Sequence, residues 1–317
     1  MSYVHHVRAF HGLPVYTFPP CADPADLPDA GSVAWRLSCG QYMSDDDATT
    51  RWQRFTETVE LEKVRAVVLG HPWYGWDCGG GDRYLIDARE RLTALEAVFL
   101  GDLEDEESMI STIGLHDLAP LLEAFPGLRE LAVRGGEDLD FPVTGHQELR
   151  SLRVESGGLP PEAAEHIAAA ELPSLERLEL WLGDDWYGGG TTVEQLAPLL
   201  AGQGKPALRH LGLQNSPVQD ELAAALASAP VVSQLRTLKL SMGVLSDTGA
   251  EALLHGQPLT GLDELDLSHH FLSHAMMLRL WKALEPAGVR VDLSGRSEPD
   301  EDDDEEDGDG RYIAVSE

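Results

Sequence analysis

Three clusters in this 317-residue chain carry residue types that could do chemistry. His269, His270 and His274 lie close enough in sequence to share a metal ion. No carboxylate stands at a spacing that would complete their ligand set, so no metal is expected. Cys78 follows His71, the pair from which a thiol nucleophile is made, yet nothing supplies an orienting partner or an oxyanion hole. Asp102 and the acidic run Glu104 to Glu107 could hold a cation, although such a run reads more simply as a solvated turn. No nucleophile elbow, H-E-x-x-H or kinase signature occurs. The glycine runs 79–81 and 188–190 lack a following Lys-Ser/Thr and have Asp neighbours that would repel phosphate. A metal-dependent or thiol enzyme using His269/His270 or Cys78 is therefore the competing reading. A non-catalytic chain without a cofactor is the expectation.

Recognition chemistry is better represented. One loop, 71–82, contains Trp73, Tyr74 and Trp76; a second, 184–190, contains Trp186 and Tyr187. Both mix aromatics with glycine. The rings supply contact area and glycine allows unusual backbone angles. The same aromatics could instead pack down over their neighbours. A further set mixes charge with an aromatic: Arg134, Arg153, Glu155, Arg177, Glu179 and Trp181, followed by His210 and Lys239. Tryptophan and arginine dominate binding hot spots. Against this, neighbouring Arg and Glu, such as Arg153 and Glu179, could simply neutralise each other across strands.

The elements that must position these residues come from a repeat. The pattern Leu-x-x-Leu-x-Leu, or an apolar variant, opens at Val64, Leu95, Leu128, Leu149, Leu175, Leu208, Leu235, Leu262 and, degenerately, Gly288, at a mean spacing of about 28 residues. The leucines have strand spacing. Helical stretches follow at Glu221 to Ala229, Asp247 to His255 and His274 to Leu284. Each return runs through a helix, so the strands must stack in parallel. The unit from 128 to 149 is too short for a full helix.

Within each strand, the third, fifth and seventh positions alternate with the leucines and face away from the helices. Early units place Ala66, Val68, Gly70, Ala97, Phe99 and Gly101 there, an apolar patch that the N-terminal region could cover. The middle units place the Arg, Glu and Trp set there. Before residue 60 the repeat is absent. Five prolines break the start into extended segments. A strand follows around Val33 to Cys39, and then a helix after Asp47.

The repeat length and the segment from Leu245 to Leu254 resemble leucine-rich-repeat proteins of the ribonuclease-inhibitor-like class. More narrowly, the strings 154–160 and 178–183 and the ending 311–317 resemble a family of uncharacterised bacterial repeat proteins. The resemblance implies an α/β leucine-rich-repeat solenoid, a horseshoe with parallel strands on the concave face and helices outside. Residues 1–60 would form an N-terminal strand–helix cap, 61–296 the solenoid of about nine units, 297–310 an acidic disordered linker and 311–317 a strand-like peptide. The class places Asn or Cys eight residues after the first leucine. This chain has Gly, Ser, Pro, Leu or His there, so its turns should depart from the class.

The formal net charge is −32, and ten acidic residues lie between Glu298 and Asp309. An acidic body disfavours nucleic acid and anionic membrane and permits a basic protein or peptide. Three cysteines make no disulfide framework, and no signal-like or membrane-length apolar run occurs, so a cytoplasmic protein is expected. The terminal peptide could fold back onto the solenoid or add as a strand to another protein.

Overall fold

The computed structural model describes residues 3–21, 23–38, 48–71, 73–74, 80–300 and 310–317. Among these residues twelve strands form one sheet in strict chain order. They are β1 (Ala9–Phe10), β2 (Leu13–Thr17), β3 (Ala34–Leu37), β4 (Ala66–Leu69), β5 (Ala97–Leu100), β6 (Glu130–Arg134), β7 (Ser151–Glu155), β8 (Arg177–Trp181), β9 (His210–Gln214), β10 (Thr237–Lys239), β11 (Glu264–Asp266) and β12 (Arg290–Asp292). Only β1 and β2 pair antiparallel; every other neighbour is parallel. Among the described residues eight α-helices intervene: α1 (Ala48–Thr58), α2 (Asp82–Asp87), α3 (Ala119–Ala124), α4 (Pro161–Ala169), α5 (Ala197–Leu200), α6 (Gln219–Leu226), α7 (Asp247–His255) and α8 (His274–Leu284). This is a solenoid-like α/β stack. No helix among the described residues is long and apolar enough to cross a membrane.

Register follows from the repeat. Ala97, Glu130, Ser151, Arg177, His210, Thr237, Glu264 and Arg290 are successive partners along one rung. The alternating leucines Leu131, Leu152, Leu178, Leu211, Leu238 and Leu265 point to the other side and are fully buried with the helices. Each such leucine contributes about 2–3 kcal/mol. The other side of the sheet, free of helices, is here called the open face.

Polar side chains close the helix ends. Ser246 and Ser273 cap α7 and α8 by accepting from the amides of Thr248 and Met276. Asp220 of α6 accepts from the amides of Ser246 and Gly249, tying one repeat to the next. A Cβ on Gly249 would stand 2.5 Å from that carboxylate, so only glycine fits. Buried Lys205 donates to the carbonyls of Ala168 and Ala170 at the C-terminal end of α4, and burial pushes its pKa down to about 8.

The sequence expectations for α1, α7 and α8 match the observed helices, and α6 is shifted toward its N-terminal side. No helix lies between β6 and β7, as the short spacing requires. Two differences stand out. The proline-broken start contains β2, which joins the sheet because Pro14 faces only the two-residue β1, where a missing amide costs little. The peptide 311–317, expected to be strand-like, joins no ladder; side chains and the backbone bond from Ala314 to Met242 hold it instead.

Candidate functional site

The open face is occupied by the chain's own ends. Residues 3–11 run across it as a strap. Val7, Phe10, Leu13 and Val15 pack on Ala34, Ala66, Val68, Ala97, Phe99 and Ala132, with the Phe10 and Phe99 rings 5.8 Å apart. The apolar patch of the early repeats is thus covered by the N-terminal region. A two-residue turn, His11 and Gly12, both at positive φ, reverses the strap into β2.

Asp102 anchors the strap. It was expected to be solvated, yet it is fully buried while its neighbours Asp105 and Glu106 are exposed. Its oxygens accept from the Val7 amide at 3.1 Å and from Arg36 at 2.8 Å. His6 stands 3.3 Å from Asp102 and 3.1 Å from Glu107. Burial would raise the Asp102 carboxyl; His6, Arg36 and Arg134 outweigh it and hold the group below the carboxylate range. Bonds to Asp102 and Glu107 push His6 up to about 9. His11 is raised in the same way, chiefly by Glu130 at 3.0 Å.

The charged set of the middle repeats is brought together as two networks. Arg134 and Glu155 pair at 2.7 Å, both buried, and Arg134 also donates to the carbonyls of Leu103 and His5. Arg153 lies 3.3 Å from Glu155, with its guanidinium over the Phe99 ring. Glu179 is the second hub, with His210 at 2.5 Å, Lys239 at 3.0 Å and Arg177 at 3.3 Å. Burial would raise the Glu179 carboxyl. The bond from His210 and the charge of Lys239 reverse this and hold it far below the ordinary range. Arg153 and Glu179 are partners in register, but the ion pair of Arg153 is with Glu155 on its own strand. Trp181 is only 8% exposed, packed with Val4, Ile110, Met242 and Val315. Of the eight residues, Arg153, Arg177 and Lys239 keep substantial exposure.

At the strands' C-terminal ends, Asn215, Met242 and His269 occupy equivalent positions in three successive repeats. All three are left-handed, with φ of 56°, 69° and 54°. Non-glycine residues in this region are strained, and such strain concentrates at functional positions. Here the three hold the C-terminal peptide. The Asn215 amide clamps Val315, donating to its carbonyl at 2.5 Å and accepting from its amide at 3.0 Å. The Ala314 amide donates to the Met242 carbonyl at 2.8 Å. His269 Nε2 lies 3.1 Å from the Tyr312 carbonyl, and the Tyr312 ring packs edge-on against His269 and Phe271. Arg311 reaches Asp220 and the Val244 carbonyl, and Tyr187 donates to Glu317. Sequence reasoning missed Asn215, Val4 and His6. Asparagine just past a strand, where the backbone must turn left-handed, was the available signal for the first.

The loops differ from each other. Trp73 and Tyr74 are buried, and Trp73 packs edge-on against Tyr84. Trp76 and Cys78 lie outside the described residues. Trp186 is 85% exposed. Its loop is fixed by Asp184, which accepts from the Trp186 amide, and by Gly188 at φ 89°. The loop rests on the neighbouring turn so closely that a Cβ on Gly158 would meet the Tyr187 carbonyl at 2.0 Å. Both ring nitrogens of buried His270 are engaged by backbone, at the Leu272 amide and the Leu293 carbonyl. Burial lowers its pKa. Among the described residues, no three His, Cys, Asp or Glu side chains are grouped to hold a metal ion.

The chain is similar to a Bacteroides fragilis protein whose crystal structure came from structural genomics. The two are 28% identical with a TM-score of 0.70, over 78% of this chain and 70% of that one. No family model and no curated protein matches. The likeness supports the repeat-like α/β architecture and carries no activity.

Proposed function

We propose that this chain is a leucine-rich-repeat horseshoe acting as a non-catalytic protein-binding module, a scaffold, inhibitor or accessory subunit, with the open face concave. The parallel ladder in strict chain order and the buried leucine rows support that class. The partner docks on the strand-end rim around Trp186 and Tyr187 and on the uncovered part of the open face at Arg153, Arg177 and Lys239. The observation that carries the reading is Trp186: a large ring held in water on a loop rigid enough to present it. Arg134 and Trp181 serve beneath this surface by seating the two termini, Glu155 holds Arg134, and Glu179 with His210 forms the charged hub beside Arg177 and Lys239. The formal charge of −32 favours a basic protein or peptide and a salt-sensitive association rate. Three cysteines without a disulfide pattern suit a cytoplasmic setting.

A photocrosslinking residue at position 186 tests this in the source cells, with Glu162 on α4 as an exposed control. A discrete adduct specific to position 186 is expected. Trp186→Ala should weaken the identified complex about 30-fold. Identical adducts at both positions, or none at 186, would sink the reading.

A further inference from the structure

The two ends of the sheet are finished differently. At the first end the last strand is the two-residue β1, antiparallel to β2, which presents Pro14 to it. At the last, β12 pairs with β11 and, among the described residues, with nothing on its other side. Repeat stacks with an unclosed end expose apolar surface, and open strand edges invite pairing. Both conditions hold here. α8 turns Arg279 to α7, where it pairs with Glu251. At 100° per residue, Met277 and Trp281 lie on the opposite side of α8 and Leu278 beside them. Leu278 and Trp281 are each 50% exposed.

We propose that this end is the interface for a second copy of the chain, joined by antiparallel pairing of β12 with its two-fold mate about Val291. The sequence of the edge is self-complementary for that geometry. Arg290 and Asp292 both point to the open face, and centring on Val291 sets Arg290 opposite Asp292 of the other copy, twice over. The Arg290 side chain is 74% exposed and free to turn, its present contact being Glu264 on the neighbouring strand. Val291 points to the helix side, where the two α8 helices would lie next to each other as α7 and α8 do, enclosing Leu278 and Trp281 of both copies. This end lacks the acidic excess of the rest of the chain. Residues 279–296 contain Arg279, Lys282, Arg290 and Arg296 against Glu285 and Asp292, a net of +2 in a chain of −32. The whole-molecule repulsion predicts a dimer that tightens as salt is added.

Sedimentation velocity on the full chain, with a charge swap, tests the pairing. The expected species is a dimer of the 34.5 kDa chain at tens of micromolar. Arg290→Asp or Asp292→Arg alone sets like charges face to face and should weaken it by about 10-fold. The double variant restores opposite charges and should restore the dimer. Circular dichroism should be unchanged throughout, since both side chains are exposed. A monomer at every concentration up to ~100 µM would overturn the proposal. So would a dimer indifferent to both single reversals, including one lost only when residues 298–310 are removed, which would place the acidic run at this end instead.

Discussion

The strap across the open face should loosen with rising pH, and His6 sets the window. In the folded chain His6 titrates near 9, against 6.5 when unpaired. Below pH 6.5 the imidazole is protonated in both folded and unfolded chains, and its pairing with Asp102 and Glu107 contributes fully. Between 6.5 and about 9 only the folded chain holds the proton, so stability falls as pH rises, and above 9 the contribution is gone. At full strength the shift corresponds to ~3 kcal/mol. The side chain is 27% exposed, and solvent screening reduces this to ~1–2 kcal/mol. Urea denaturation at pH 6, 7.5 and 9.5, comparing the wild-type chain with His6→Gln, isolates the term, because His11 and every other titrating group stays common to both. The wild-type chain should lose ~1–2 kcal/mol more than the variant across that range. Parallel pH profiles for the two proteins would refute the reasoning.

Three further outcomes follow from the packing. Leu211→Ala, in a fully buried leucine row, should cost ~3 kcal/mol, read as a lowered urea midpoint. Asn215→Ala removes two hydrogen bonds to Val315 and leaves alanine at φ 56°, about 3 kcal/mol together. Amide exchange at residues 312–316 should then speed up by roughly 100-fold with the leucine core unchanged; unchanged protection would disprove the clamp. Gly158→Ala drives a Cβ into the Tyr187 carbonyl and should cost at least ~2 kcal/mol or open the 184–190 loop to protease.

The stack itself was legible because its signal is local. Leu208, Leu211 and Leu213 declare a strand face by spacing alone, and Ser246 and Ser273 mark helix starts within a residue. What was hidden depends on contacts between distant parts of the chain. Trp181 and Arg134 look like surface residues until Val4 and His5 are laid over them, and no periodicity announces that placement. Asp102 reads as one member of an acidic run, yet three cations from the strap, β3 and β6 converge on it. The rim aromatics illustrate the same limit. Trp73 and Trp186 share a composition of neighbours, but one is buried against Tyr84 and the other stands in water.

The seating of both termini on one face changes how the chain must fold. An array of repeats makes mainly neighbour contacts, so it can nucleate anywhere and unravel from its ends. This chain adds bonds between Arg134 and His5, 129 residues apart, and between Tyr187 and Glu317, 130 apart. Val4 and Val315 share one apolar cluster, so the N-terminal strap is enclosed only once the C-terminal peptide is in place. Such closures raise the contact order, slow the final folding step and couple the two halves into a single cooperative transition. Fraying at either end then carries the cost of opening the middle.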